Sequence, residues 1–337
     1  MTVPTIDVHA HAMFPPVEAT AAQQPGHAQQ RELELRGSGA ESAAVNQAQL
    51  GQIGPLLTDP AQRLAAMDRA GVEIQVVSPM PLYHYWTDAP IAERITRLTN
   101  ESMAGLIEQH PHRLVGLGTV PLQHPELAIA ELRRAVGEFG LRGVQIGTLA
   151  GSRELADDAL EGFWATAEEL DAVVFVHPWG CSLGERLDRY YLSNIVGNPV
   201  ETTVALSHLV FSGLLDRHPG VRIVAAHGGG YLPTYLGRSD HAWRVRPESQ
   251  RPAEPPSTYV RRMWFDSLVY TQTALRHLVD AVGADRVVLG SDYPFDMGVT
   301  DPVDRVTAAA LTPESEQAIR GGNAATLLNL PISVPAP

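Results

Sequence analysis

Residues 5–12, Thr5-Ile6-Asp7-Val8-His9-Ala10-His11-Ala12, combine a short β-branched apolar run with a His-x-His ending. On a strand, side chains at i and i+2 share a face, so His9 and His11 can aim at one point beyond the strand's C-terminal end. Seven further runs of strand length follow, at residues 72–79, 113–122, 141–148, 173–179, 221–228, 262–270 and 286–294. Most are rich in Val and Ile without polar alternation, as expected of a parallel sheet buried on both faces. Amphipathic stretches alternate with them at residues 59–70, 89–109, 125–139, 158–171 and 199–217. Asp59-Pro60 supplies a cap and a first-turn proline for the first of these, and Gly71 closes it.

Eight strands, each followed by a helix, predict an α/β fold of the (β/α)8 TIM-barrel type. A doubly wound sheet is the competitor, but no Gly-x-Gly-x-x-Gly follows the first strand. The barrel is expected to occupy residues 1–330 as a single domain. It carries a polar, Ala/Gln-rich insertion at residues 13–58, long enough to cover the mouth as a lid. Residues 247–256 read as an extended proline-rich connection, and residues 331–337 as an extended tail.

Composition narrows the chemistry. The 337 residues are 44% hydrophobic and 19% charged, with a formal net charge of −13. Such an acidic chain lacks the broad positive field that grips nucleic acid. All 25 basic residues are arginine. Schiff-base catalysis, a P-loop lysine and a carbamylated lysine bridging two metals are therefore excluded. The single Cys181 cannot form an internal disulfide, and no run is long and apolar enough to span a membrane. A cytoplasmic protein without nucleic-acid or membrane partners is expected.

Barrel enzymes carry their reactive groups at the C-terminal ends of the strands. Here those ends offer His9 and His11 on the first strand, His177 on the fifth, His227 on the sixth and Asp292 on the eighth. Neutral imidazoles with one carboxylate suit Zn2+ first and Mn2+ second. The glycines after His227 carry no side chains, which would let a substrate approach the backbone. Gln145 reads as a packing amide, and Asp266 and Ser267 as structural. His27 in the insertion could reach the mouth, though a structural role is the favoured reading, and His110, His112, His124, His208, His218, His241 and His277 read as unrelated to the chemistry.

His9-x-His11, His177-Pro178-Trp179, Ala226-His227-Gly228-Gly229-Gly230 and Gly290-Ser291-Asp292-Tyr293-Pro294 together resemble the amidohydrolase superfamily. More narrowly, they resemble its aminocarboxymuconate-semialdehyde decarboxylase branch, and the likeness runs over nearly the whole chain. The resemblance implies that His9, His11, His177 and Asp292 bind one divalent metal ion. His227 would be the acid/base, with Asp292 able to share in the proton transfer. It implies non-oxidative decarboxylation of a small anionic substrate, an unsaturated or aromatic carboxylic acid. Hydrolysis or hydration at the same site is the alternative. It also implies a homodimer in which Arg238 clamps a carboxylate in the neighbouring subunit's site. Tyr83 and Trp86, in the loop after the second strand, could wall a flat substrate. One departure stands out: the branch's second clamping arginine falls at Gly51 here.

Overall fold

The eight parallel strands form, each shorter than its apolar run. In the computed structural model, which describes residues 3–330, they are β1 (Ile6–Ala12), β2 (Ile74–Pro79), β3 in two pieces (Leu114–Gly116 and Gly118–Thr119), β4 (Gly143–Ile146), β5 (Val173–Val176), β6 (Arg222–Ala225), β7 (Trp264–Asp266) and β8 (Val287–Val288). Each pairs in parallel with its sequence neighbour. The ring closes where the Val8 N–H donates to the Leu289 carbonyl and the Asp292 N–H to the His9 carbonyl, both at 2.8 Å. The expected TIM barrel is thus present. A small antiparallel ribbon, Leu149–Ala150 against Arg153–Glu154, is an addition that the apolar runs did not signal.

Two apolar clusters show which way each strand faces. Ile6, Val8, Val76, Val173, Phe175, Val224 and Val288 pack together inside the ring, plugged below by Ala324, Ala325 and Leu328. Their neighbours Val77, Val144, Val174, Ile223, Phe265 and Val287 face outward onto the helices. β1 breaks this alternation. Asp7 sits opposite Gln75 and Ala10 opposite Val77, so three steps on β1 match two on β2. This bulge inserts one residue and resets the parity. Val8 below it lies in the inner cluster, and His9 above it still reaches the inside.

The insertion folds into α1 (Pro15–Ala22), α2 (His27–Ser38) and α3 (Ala40–Thr58). α4 (Pro60–Ala70) starts on Asp59, whose carboxylate accepts the Ala61 N–H, and stops at left-handed Gly71. α5 (Ala89–Gln109) has the expected bounds, and α6 (Pro125–Gly137) and α7 (Glu161–Glu169) are slightly shorter than their patterns. The helix expected over 199–217 is two helices, α8 (Asn198–Phe211) and α9 (Leu214–Arg217), because Gly213 takes a left-handed φ of 75° that ends the first. α10 spans Leu236–Val245. The connection at 247–256 opens with a 3-10 turn, Pro247–Ser249, where a wholly extended path was expected. Residues 331–337, expected as an extended tail, lie outside the described residues.

Candidate metal centre

His9, His177, His227 and Asp292 each present one donor atom, and these atoms all lie within 4.8 Å of one another. His11 joins them through Asp292. The Nε2 atoms of His9 and His11 both stand 3.2 Å from Asp292 Oδ1. His227 Nε2 faces the other oxygen, Oδ2, at 3.6 Å. The five side chains arrive from four strand ends, as barrel geometry requires.

The hydrogen-bond accounting marks all five side chains. Buried polar atoms in native proteins are almost always paired. Here His9 Nε2, His11 Nε2, both ring nitrogens of His177, His227 Nδ1 and Asp292 Oδ1 are buried without any hydrogen-bond partner. Such a clustering of unpaired nitrogens and one carboxylate oxygen fits a single divalent cation. His227 is the more open of the set.

The His9 and His11 imidazoles are each aimed by a second contact. Asp266 Oδ2 accepts from His9 Nδ1 at 2.6 Å, and His11 Nδ1 lies 3.2 Å from the Pro79 carbonyl. Fixing Nδ1 as the donor leaves each Nε2 lone pair free to ligate. Asp266 also receives the His227 and Gly228 N–H groups, at 2.9 and 2.8 Å. It therefore locks the turn that carries His227, whose φ is a left-handed 54°. Asp266, read from the sequence as structural, belongs to the centre. The signal was available, since it is the polar residue at the end of the seventh strand.

Electrostatics agree with this wiring. Burial works against a charged His9, yet Asp292 and Asp266 outweigh it and raise the imidazole to about 10. Burial would raise Asp292, but His9, His11 and His227 hold it well below the usual carboxylate range. Burial pushes His177 down, and the neighbouring imidazoles push the same way.

Other expectations divide. Gln145 is a buried packing amide, accepting from Ser78 Oγ and donating to the Pro79 carbonyl. Tyr83 stays beside the centre, its hydroxyl donating to the His177 carbonyl at 2.7 Å. Trp86 instead packs under the insertion, close against Gly26 and with its ring 6.2 Å from His27. Arg238 is exposed on α10 and does not join the cluster within one chain. The glycine triplet gives no open approach for a substrate. A Cβ on Gly228, Gly229 or Gly230 would meet Val269, Phe265 or the Pro199 carbonyl, and all three glycines have positive φ. They serve a tight turn packed against the protein itself.

Two aromatic residues escaped the sequence reading. Tyr191 and Tyr270 both hold left-handed backbone, φ 59° and 62°. Burial and then the charges of Asp296 and Asp292 push the Tyr191 phenol up to about 12. Burial and then Asp292 and Asp266 raise Tyr270. Nothing local in the sequence marks them, because their backbone conformation and their closeness to Asp292 arise from loop packing.

Comparison with known proteins identifies the family. The family model described as "Amidohydrolase" matches residues 6–330. A 2-amino-3-carboxymuconate-6-semialdehyde decarboxylase from Dictyostelium discoideum is 36% identical over 276 residues, covering 81% of this chain and 77% of the relative. A gamma-resorcylate decarboxylase from Rhodococcus jostii (strain RHA1) is 31% identical over 288 residues, 80% of this chain and 87% of the relative. Among solved structures, 5-carboxyvanillate decarboxylase from Sphingomonas paucimobilis superimposes with a TM-score of 0.85 at 25% identity, covering 98% of this chain and 100% of that one. The sequence resemblance and the barrel prediction are both borne out: this chain belongs to the amidohydrolase family, in its branch of metal-dependent non-oxidative decarboxylases.

Proposed function

We propose that the chain removes the carboxylate of a small aromatic or unsaturated acid, with His9, His11, His177 and Asp292 Oδ1 holding one divalent ion and His227 moving the proton. The observation that carries this reading is the set of buried, unpaired donor atoms converging on one point, with the partly exposed His227 turning Nε2 to the second oxygen of Asp292. Three imidazoles favour Zn2+, and Mn2+ is the second choice for the same donors. When bound, the ion supplies Lewis-acid polarisation of substrate oxygens.

The chain's own residues supply the rest. His227 Nε2 and Asp292 Oδ2, 3.6 Å apart, form a couple that can deliver a proton to the carbon bearing the carboxylate. That carbon gains the hydrogen, its bond to the carboxylate breaks, and carbon dioxide leaves as the ring or diene recovers its electrons. Asp266 keeps His227 in place throughout by accepting its backbone N–H. Tyr191 and Tyr270 offer apolar faces for a flat substrate.

Arg238 would serve as the carboxylate clamp across a homodimer, since a guanidinium binds a carboxylate through two donors. The segment around it leaves Tyr231, Tyr235 and Val245 exposed, as a face covered by a second copy would be. We place the reaction in the cytoplasm, consistent with a lone cysteine.

Labelled carbon dioxide released from a panel of hydroxybenzoates and muconate-type acids, without 18O from water entering the organic product, is the expected result. Incorporation of 18O would replace the lyase reading by hydrolysis. Elemental analysis after chelator-free purification should give one ion per chain, and a blank result would remove the ligand set. Mixing Arg238→Ala with His227→Asn should restore part of the activity if the arginine acts in trans; no recovery at any ratio removes that role.

A further inference from the structure

Behind β1, outside the barrel wall, lies a second polar cluster that bonds to the backbone of ligand residues and to none of their ligating side-chain atoms. Asp7 is fully buried there, against Ser291, Gln75 and the His9 backbone. One of its oxygens accepts the N–H of His9 at 3.1 Å and that of Ser291 at 3.0 Å. The other accepts the Ser291 hydroxyl at 2.6 Å and Gln75 Nε2 at 2.9 Å. Gln75 Oε1 in turn accepts from Arg63 Nη1 at 2.7 Å, and Arg63 Nη2 donates to the His11 carbonyl. The Arg63 guanidinium, on α4 and only 2% exposed, also lies 5.0 Å from the centre of the Tyr293 ring.

A buried arginine with no direct carboxylate partner costs stability, as does a buried carboxylate without a cation. Here both are kept, joined only through Gln75. What they touch is informative. Asp7 holds the backbone of His9 and of Ser291, the residue before Asp292. Arg63 holds the carbonyl of His11. Between these points lies the β1 bulge, which turns His9 inward, and the seam where the Asp292 N–H meets the His9 carbonyl. Three of the four donors thus take their backbone position from this one bracket.

We infer that Asp7 and Arg63 are positioning residues of the metal centre, which set the bulge and the β1–β8 seam so that His9, His11 and Asp292 converge. The inference rests on the ligand set proposed above. It assigns to residues that never meet ion or substrate a control over coordination geometry.

The test uses Co2+ as the probe in the full-length protein, with Arg63→Met, Arg63→Lys and Ser291→Ala. Co2+ affinity by chelator competition and the visible spectrum of the Co2+ form report geometry, and melting of the metal-free protein reports folding. Arg63→Met should weaken Co2+ binding about 10-fold and alter its spectrum. Arg63→Lys should recover part of both, because an ammonium can still donate to the His11 carbonyl. Unchanged affinity and spectrum in a folded variant would reduce the bracket to a merely structural role and overturn the inference. If Arg63→Met does not fold, Ser291→Ala, which deletes one hydroxyl donor to Asp7, decides by the same two readouts. A wild-type protein that takes up no Co2+ would instead overturn the ligand set itself.

Discussion

β1 and the insertion that directly follows it are contiguous in sequence and built in opposite ways. Every residue from Ile6 to Ala12 is buried, and apart from the nitrogens aimed at the centre their side-chain polar atoms are paired. The insertion is held at few points. α2 buries no residue, α3 buries only Ser42 and Leu57, and α1 rests Val17 and Ala21 against Ile95 of α5. Its polar ties to the barrel include the Tyr293 hydroxyl to the Leu56 carbonyl, an exposed Arg36–Glu185 pair and the approach of Glu18 to His84. Donor geometry is therefore held by many buried contacts, while the insertion is anchored by few. The clustered donors sit on strand ends, while the insertion is made of helices with few buried residues.

The contrast can be broken most severely at His177. His177→Ala removes a ligand from a rigid strand end, so ion affinity should fall by more than ~100-fold, beyond the loss typical of outer partners, as measured by chelator competition. Retained stoichiometric metal would mean that the cluster is not the binding site. His227→Asn should keep the ion and cut kcat by ~10²–10⁴; full activity would end its role as proton carrier.

A finer test concerns protons. His9, at about 10, is protonated at pH 6.5 in the ion-free state and must give up that proton to ligate. Calorimetry in buffers of different ionisation enthalpy should therefore show about one proton released per ion, with affinity rising as pH increases. Asp266→Asn, which removes one of the charges holding that proton, should lower both the proton count and the ion affinity, the latter by ~10–100-fold. Uptake without proton release would contradict the wiring of His9.

The smallest effect belongs to the insertion. Glu18 on α1 lies 4.0 Å from His84, and burial, with Glu34 adding to it, raises its carboxyl to about 7. A carboxyl whose folded value exceeds its unfolded one stabilises the fold while protonated and loses that contribution as pH rises through about 7. Glu18→Gln should then raise the melting temperature at pH 8 by about 2 °C, leave it unchanged at pH 5, and not alter ion affinity. A stabilisation of equal size at both pH values would show that charge is not the cause.

Much of the centre was legible in the chain. His9, His11, His177, His227 and Asp292 each stand at the end of an apolar run, and the barrel rule then gathers strand ends at one face. Asp266 obeys the same rule and was undervalued, because its worth lies in a contact to His9 across 257 residues. Arg238 could not be placed by one chain alone. The glycine triplet misled for a physical reason: absence of a side chain admits either a ligand or the protein's own atoms, and only packing tells which.

Alternation and strand-end chemistry are local properties, read over a few residues, so the barrel and its donors were determined by the sequence itself. The bulge in β1, the division of Asp292 between two oxygens, and the support of Asp266, Asp7 and Arg63 exist only once β8 closes against β1. They depend on hydrogen bonds between segments hundreds of residues apart, whose geometry no local pattern encodes.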